Sequence, residues 1–259
     1  IFLKNFPLSD QGLNIWIKYV QSPDHLFKIK ELIKYKYRAD KISIVITIDD
    51  SAFEFAINHQ RELFPQAKII FCGVNNLDVE KIRNQNNITG VAEVIDPRGT
   101  VESILKLLPA TKNIFVIYDY SSTGIGSKNE LLKVLHIYKN RIYFEYVENT
   151  TQNRIIQKIR DLPSGYVVLL LSFGNLFVGS PINLFRFSDF IKNECRLPVF
   201  AVHEPWLNRG IVGGSLLSGK YHGIYTAKVV ERIINGEKIS NIPVCIKSTA
   251  KLMFDYKML

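Results

Sequence analysis

The sequence predicts an α/β protein built as two doubly wound lobes of parallel sheet joined by a hinge. Stretches with helical spacing and stretches with strand spacing take turns along nearly all 259 residues, and the connections between them are short. Parallel neighbours need crossovers, and crossovers that carry helices cover both faces of a sheet. About ten strands are legible, which is wide for one sheet, so two sheets of about five strands each follow. The first break falls near residues 93–97.

Asn14 to Val20 sets Ile15, Ile17 and Tyr19 against Trp16, Lys18 and Val20, a period of two that reads as a strand. Ser22-Pro23-Asp24 then supplies a cap, a first-turn proline and an acid suited to a helix N-terminus. Leu26, Phe27, Ile29, Ile33 and Tyr37 follow at helical spacing, so a helix runs to about Tyr37. The alternation continues through a strand Ser43 to Ile48, a helix Ser51 to Leu63, a strand Lys68 to Cys72, a short helix from Asp78 and a short strand Ile88 to Ala92. Next come a helix Thr100 to Leu108, a strand Asn113 to Tyr118, a helix Lys128 to Tyr138, a strand Arg141 to Val147, a helix Gln152 to Asp161 and a strand Tyr166 to Ser172. A long helix Asn183 to Cys195, a strand Pro198 to Val202, a glycine-rich passage and a last helix Tyr221 to Ile234 complete the pattern. Phe53, Phe55, Phe64 and Phe71 fall at helix or strand spacing and are expected in the core.

Composition narrows the class. The chain is 47% hydrophobic and 22% charged, ordinary for a folded globular protein. Its longest strongly apolar run, Tyr166 to Leu171, is far short of the roughly 20 residues that cross a bilayer. Lysine and arginine exceed acids by 33 to 24, but the basic residues are scattered singly on helices such as Lys28, Lys30, Lys34, Lys36 and Arg38. No motif organises them, so no nucleic-acid partner is expected. Cys72, Cys195 and Cys245 lie too far apart for a disulfide framework or a close-paired metal set, and His25, His59, His136 and His222 lack helical ligand partners. Neither metal nor cofactor is expected.

In sheets of this class ligands bind beyond the carboxyl ends of the strands. The loops there are Asp49-Asp50-Ser51, Gly73-Val74-Asn75-Asn76, Asp119 to Gly124, Ser172-Phe173-Gly174-Asn175 and His203-Glu204-Pro205-Trp206. Ser121-Ser122-Thr123-Gly124, with Tyr120 before it, offers hydroxyls and free N–H groups at a helix start, which suits a carboxylate or phosphate; plain N-capping explains the same residues. It has neither the lysine of a P-loop nor a true G-x-G-x-x-G. Asp50 and Ser51 also open a helix, as cap or as ligand groups. Asn75 is either a turn residue or an amide that donates and accepts. His203, Glu204 and Trp206 resemble an acid–base pair beside an aromatic wall, yet no nucleophile motif accompanies them. No catalytic residue is therefore assigned, and Trp206 is expected as a lid or stacking surface.

Three stretches carry a resemblance: Glu62-Leu63-Phe64-Pro65 with Ile70 to Asn76, then Gly210-Ile211-Val212-Gly213-Gly214, and Met253-Phe254-Asp255-Tyr256. Together with Asp49-Asp50 and Gly236-Glu237-Lys238, in this order and spacing, they resemble the ABC-transporter substrate-binding-like family of type I periplasmic binding folds. The branch most similar is found as extracytoplasmic sensor regions of bacterial histidine kinases and diguanylate cyclases. The resemblance implies lobe one from residues 1–92 and 206–238, and lobe two from 93–205 and 239–259. Family members begin with a further strand and helix, and Ile1 to Phe6 looks like the tail of that helix. A missing inner strand would leave backbone groups unpaired on both neighbours, so another segment or chain is expected to fill the gap.

The function expected is ligand sensing. A small polar organic molecule, an amino acid or carboxylate, is held by Asp50, Ser51, Asn75, Tyr120, Ser121, Ser122, Thr123, Gly124, Ser172, Phe173, His203 and Trp206, and the lobes close on it. The resemblance implies a parent receptor, homodimeric in some arrangements, outside the cytoplasm and tethered to the membrane by segments beyond this chain. A transport receptor is the alternative, and an α/β enzyme on a small polar substrate the third reading.

Overall fold

The structure, a computed structural model, describes residues 2–4, 13–14, 22–38, 42–75, 77, 82, 85–174, 176–177, 180–181 and 183–259. It divides into two compact units, Ile1–Glu93 with His222–Lys247, and Val94–Tyr221 with Ser248–Leu259. The residues 206–221, expected in the first lobe, belong to the second unit, and 239–247 belong to the first.

Unit 1 is built on a sheet of β1 (Phe2–Lys4), β2 (Leu13–Asn14), β3 (Ile44–Ile48), β4 (Lys68–Val74) and β5 (Ile88–Ala92), in the order β2-β1-β3-β4-β5. The strands β3, β4 and β5 run parallel. Ile69, Ile70 and Phe71 on β4 are all buried, as a parallel strand covered on both faces requires. Each such side chain removed from water contributes roughly 1.5–3 kcal/mol. The helix α1 (Pro23–Lys36) starts where Ser22 Oγ accepts from His25 N at 3.3 Å, and it buries Ile29 and Ile33. In place of one helix from Ser51 to Leu63 there are two, α2 (Asp50–Asn58) and α3 (Gln60–Leu63), with the break at His59. Phe53, Phe55, Phe64 and Phe71 are buried as expected.

The N-terminal segment is a correction. Phe2–Lys4 is a strand and not a helix tail: Phe2, Leu3 and Lys4 pair antiparallel with Ile46, Val45 and Ile44. The backbone donors and acceptors along β3 need a partner, and β1 supplies it. Of the strand expected over Asn14 to Val20, only Asn14 is described, within β2; the rest lies outside the described residues, as do Asp78, where a short helix was expected to start, and Asn76 and Asn175 of the loops.

Unit 2 follows in chain order as α4 (Pro97–Leu107), β6 (Asn113–Ile117), α5 (Ser122–Val134), β7 (Tyr143–Tyr146), α6 (Gln152–Asp161), β8 (Tyr166–Leu170), the small pair β9 (Leu176–Phe177) and β10 (Ser180–Pro181), α7 (Leu184–Asn193), β11 (Val199–Ala201) and β12 (Gly213–Leu216). The helix α8 (Gly219–Ile234) then carries the chain into unit 1, and β13 (Lys251–Phe254) returns to unit 2. The sheet order is β13-β12-β11-β8-β6-β7, parallel except for β13. Two helices start three or more residues earlier than their sequence pattern. Asp96 Oδ1 accepts from Gly99 N at 2.9 Å and Pro97 occupies the first turn, so α4 precedes Thr100; Ser121 caps α5, which begins six residues before Lys128.

The glycine-rich passage is also strand. A Cβ on Gly214 would lie 2.3 Å from Ala201 O and 3.0 Å from Thr100 Cγ2, so only glycine lets α4 come this close to β12. Thr100 Oγ1 accepts from Ser215 N at 3.0 Å, and Ser215 Oγ donates to Asp96 Oδ2 at 2.7 Å. In unit 1 the returning chain is tied to β5. His222, buried, donates from Nε2 to Val91 O at 3.3 Å, and Cys245 exchanges backbone bonds with Gly90 and Ala92 at 2.9 Å each.

Candidate functional site

In both units an aspartate stands two residues beyond the end of a parallel strand. Asp50 follows β3 and Asp119 follows β6, and each holds the loop of the next strand in its sheet. They differ in what remains free.

In unit 1, Asp49 has φ 75° and ψ 161°, a region that side chains other than glycine rarely enter. Such a conformation costs about 1–3 kcal/mol and persists because its surroundings hold it. Asp49 N donates to Cys72 O at 2.9 Å, Asp49 O accepts from Phe53 N at 3.2 Å, and its Oδ1 accepts from Asp50 N at 2.8 Å. The turn therefore delivers Asp50 to the first position of α2. On the neighbouring strand the register slips between Cys72 and Val74, and Gly73 adopts φ 71°. This bulge re-aims the end of β4 so that Asn75 meets Asp50: Asn75 N donates to Oδ1 at 3.0 Å and Asn75 Nδ2 to Oδ2 at 3.2 Å. Both residues are half-buried. A carboxylate accepts about four hydrogen bonds, so Asp50 keeps acceptor capacity while its position is locked. Ser51, also half-buried, lies beside it in α2.

In unit 2, Asp119 is 1% exposed. Its Oδ1 accepts from Ser121 N at 3.1 Å and closely from Ser121 Oγ, and its Oδ2 accepts from Gly174 N at 2.9 Å. Asp119 N donates to Ser172 O at 3.0 Å, and Ser172 N donates to Ser127 Oγ at 3.3 Å. Ser121 Oγ also accepts from Gly124 N at 3.1 Å, so Ser121 is engaged as the cap of α5. Ser122 is the first residue of that helix and Thr123, half-buried, the second. Gly124 answers to packing, because a Cβ there would lie 2.0 Å from Asp119 O. Six of the expected residues, Tyr120 to Gly124 and Ser172, are thus gathered at one sheet end by an aspartate that the sequence reading placed in a loop but not in the site.

Phe173 and Trp206 are corrections. They are 6% and 7% exposed, with their rings 6.4 Å apart and Phe187 within 6.0 Å of Trp206. Trp206 is core, not a lid, because the aromatic faces of α7 and of the loop after β8 enclose it. His203 is half-buried where the chain leaves β11, bridged to Leu217. Tyr120 is 37% exposed, stacked on Tyr118 at 5.2 Å, and its hydroxyl donates to Val147 O at 3.0 Å. Burial, with the bond from Tyr118, pushes its phenol up to about 12. Burial likewise raises the Cys72 and Cys195 thiols, which makes both poor nucleophiles.

A cavity of about 800 Å³ in unit 2, lined by Ile159, Arg160, Phe190, Cys195, Arg196 and Leu197, lies where chains enter β8 and β11. That is the opposite end of the sheet from the strand tips, so size alone does not make it the site. Among the described residues no group of three or more His, Cys, Asp or Glu is placed to hold a metal ion. Nor is any helix among them long and apolar enough to cross a membrane.

Residues 8–259 match the family model described as ABC transporter substrate binding protein. No curated protein matches the chain. Among solved structures the chain is similar to the ligand-free, open form of a substrate binding protein with adhesive properties from Clostridium difficile, with a TM-score of 0.66 and 18% identity over 90% of this chain and 78% of that one. It is similar to an ABC domain in complex with L-Trp from Streptococcus pneumonia, with a TM-score of 0.59 and 18% identity over 90% and 77%. A third likeness is a 5-methylthioribose transporter solute binding protein from Thermotoga lettingae in complex with 5-methylthioribose, with a TM-score of 0.52 and 10% identity over 88% and 72%.

Proposed function

This chain belongs to the ABC transporter substrate-binding protein family, and we propose that it captures a small polar organic molecule outside the cytoplasm and carries out no reaction on it. The observation that carries the reading is Asp50: it is locked by two bonds from Asn75, half-buried, and left with acceptor capacity at the end of a parallel strand. A fixed, partly solvated carboxylate beside the hydroxyl of Ser51 suits an ammonium or hydroxyl of a ligand. The loops gathered by Asp119 are a second candidate set of ligand contacts, within unit 2. The complexes with L-Trp and with 5-methylthioribose belong to other proteins, and they support a ligand of that size and polarity here.

The test is calorimetry and small-angle scattering against amino acids, organic acids, nucleosides and small sugars. Saturable binding with a more compact solution form is expected; silence across all four classes would sink the reading. Whether binding feeds a transporter or, in the sensor branch that the motifs resemble, a histidine kinase or diguanylate cyclase is read from the parent gene. A membrane helix and output module encoded after Leu259 favour the sensor, and a secreted or lipid-anchored product beside permease genes favours transport.

A further inference from the structure

Lys128 on α5 stands at the centre of a cluster that the strand-tip loops do not account for. Its ammonium lies 5.1 Å from the ring centroid of Tyr118 and 5.1 Å from that of Tyr146, it is half-buried, and among the described residues no carboxylate pairs with it. Other lysines of the same unit do find acids: Lys133 pairs with Glu130 and Lys158 with Glu145. The phenols around Lys128 cannot neutralise it. Tyr118 donates to Tyr120 Oη at 3.4 Å, Tyr120 donates onward to Val147 O, and burial holds the Tyr146 phenol protonated. Asp119 is engaged by Ser121 and Gly174, and Glu148, close enough to act on the Tyr120 phenol, forms no ion pair with Lys128 among the described residues.

Tyr146 adds an independent feature. Its hydroxyl is buried and makes no hydrogen bond among the described residues. A buried hydroxyl without a partner is costly, and an ammonium held over rings has exchanged water for weaker contacts. One kind of group satisfies both: an oxyanion that accepts from Tyr146 Oη and faces Lys128. A single lysine without an arginine fork suits a monoanion better than a phosphate dianion.

We propose that Lys128 and Tyr146, walled by Tyr118 and Tyr120, recognise the carboxylate of the ligand, so that the substrate class is a small monocarboxylate. This rests on the receptor reading above. Tyr120, whose ring is partly exposed and stacked on Tyr118, then offers a flat face to the part of the ligand next to its carboxylate.

The test is titration calorimetry of the full chain with L-amino acids, their α-amides and short monocarboxylic acids, repeated with Lys128→Met and Tyr146→Phe. Lys128→Met keeps the apolar stem and the ring contacts, and Tyr146→Phe removes one oxygen. The wild-type protein is expected to prefer one or more acids over the matching amides by about tenfold or more. Lys128→Met should erase that preference by weakening the acid roughly 30-fold while leaving the amide unchanged. If Lys128→Met is poorly folded, Tyr146→Phe carries the same test with a smaller loss, about 5-fold. A wild-type preference for amides, or acid affinity indifferent to both variants, overturns the carboxylate assignment and leaves the receptor reading standing. No binding by any member of the panel, nor by neutral sugars and nucleosides, overturns both.

Discussion

Asp50 and Asp119 occupy equivalent places in the two sheets, and the contrast between them separates a carboxylate enclosed by its partners from one left partly open. Asp119 is enclosed and takes bonds from Ser121 and Gly174; Asp50 is half-buried and, among the described residues, takes two side-chain bonds, both from Asn75. The enclosed carboxylate fastens two loops together, and the half-open one is held ready. The backbone in front of each differs as well: Asp49 sits in a strained conformation with φ 75°, while Tyr118, in front of Asp119, has no such positive φ. Rigidity is reached in unit 1 by strain and in unit 2 by saturation.

The largest effect should come from breaking the saturated side. Asp119→Ala removes the buried carboxylate that ties the half-buried Ser121 to the exposed Gly174 and should lower stability in urea unfolding by about 2–3 kcal/mol. Asp50→Ala should cost only about 1 kcal/mol in the same measurement but weaken ligand at least about tenfold by calorimetry. Equal losses of stability for the two variants would erase the distinction drawn between them. Asp49 sharpens it further: Asp49→Ala keeps the strain and loses the bond to Asp50 N, and should destabilise by about 1–2 kcal/mol. Asp49→Gly relieves the strain and should fall within about 0.5 kcal/mol of wild type, measured by thermal melts. An alanine variant as stable as the glycine one would mean that the backbone there is not strained.

The smallest effect lies away from the strand tips. Hydrogen bonds from Lys30 and then Lys34 hold the exposed Glu62 carboxyl down at about 2, against its ordinary 4.5. A carboxyl lowered on folding contributes stability that is whole above pH 4.5 and is lost as pH falls towards 2. Glu62→Gln should therefore flatten a shallow part of the acid limb of stability between those values, and added salt should mimic it. An unchanged acid limb at low salt would show that the pair contributes nothing.

Much of the architecture is legible in the residues. The helix Gln152–Asp161 is readable to the residue because Thr151 caps it and Ile155, Ile156 and Ile159 mark its buried stripe. The break between units is legible because β5 ends and Asp96-Pro97 starts a helix. What escaped depends on neighbours distant in sequence. Gly213 to Leu216 has no strand pattern of its own; it is a strand because β11 and β13 flank it and α4 presses on it. Six residues of α5 looked like a loop because Ser122, Thr123, Gly124 and Gly126 are weak helix formers, and the Asp119 knot overrides that preference. Trp206 looked like a lid because nothing local shows that Phe173 and Phe187 will enclose it.

The order of residues by itself determined the alternation of helices and strands and the loops that follow the strands, since periodicity and capping act over a few residues; the small β9-β10 pair was not legible in it. Only the tertiary structure decided which aspartate is used up and which stays open, and that Lys128 rests between Tyr118 and Tyr146. Burial and hydrogen-bond saturation are properties of surroundings, and those surroundings are assembled from strands and helices that no local pattern names.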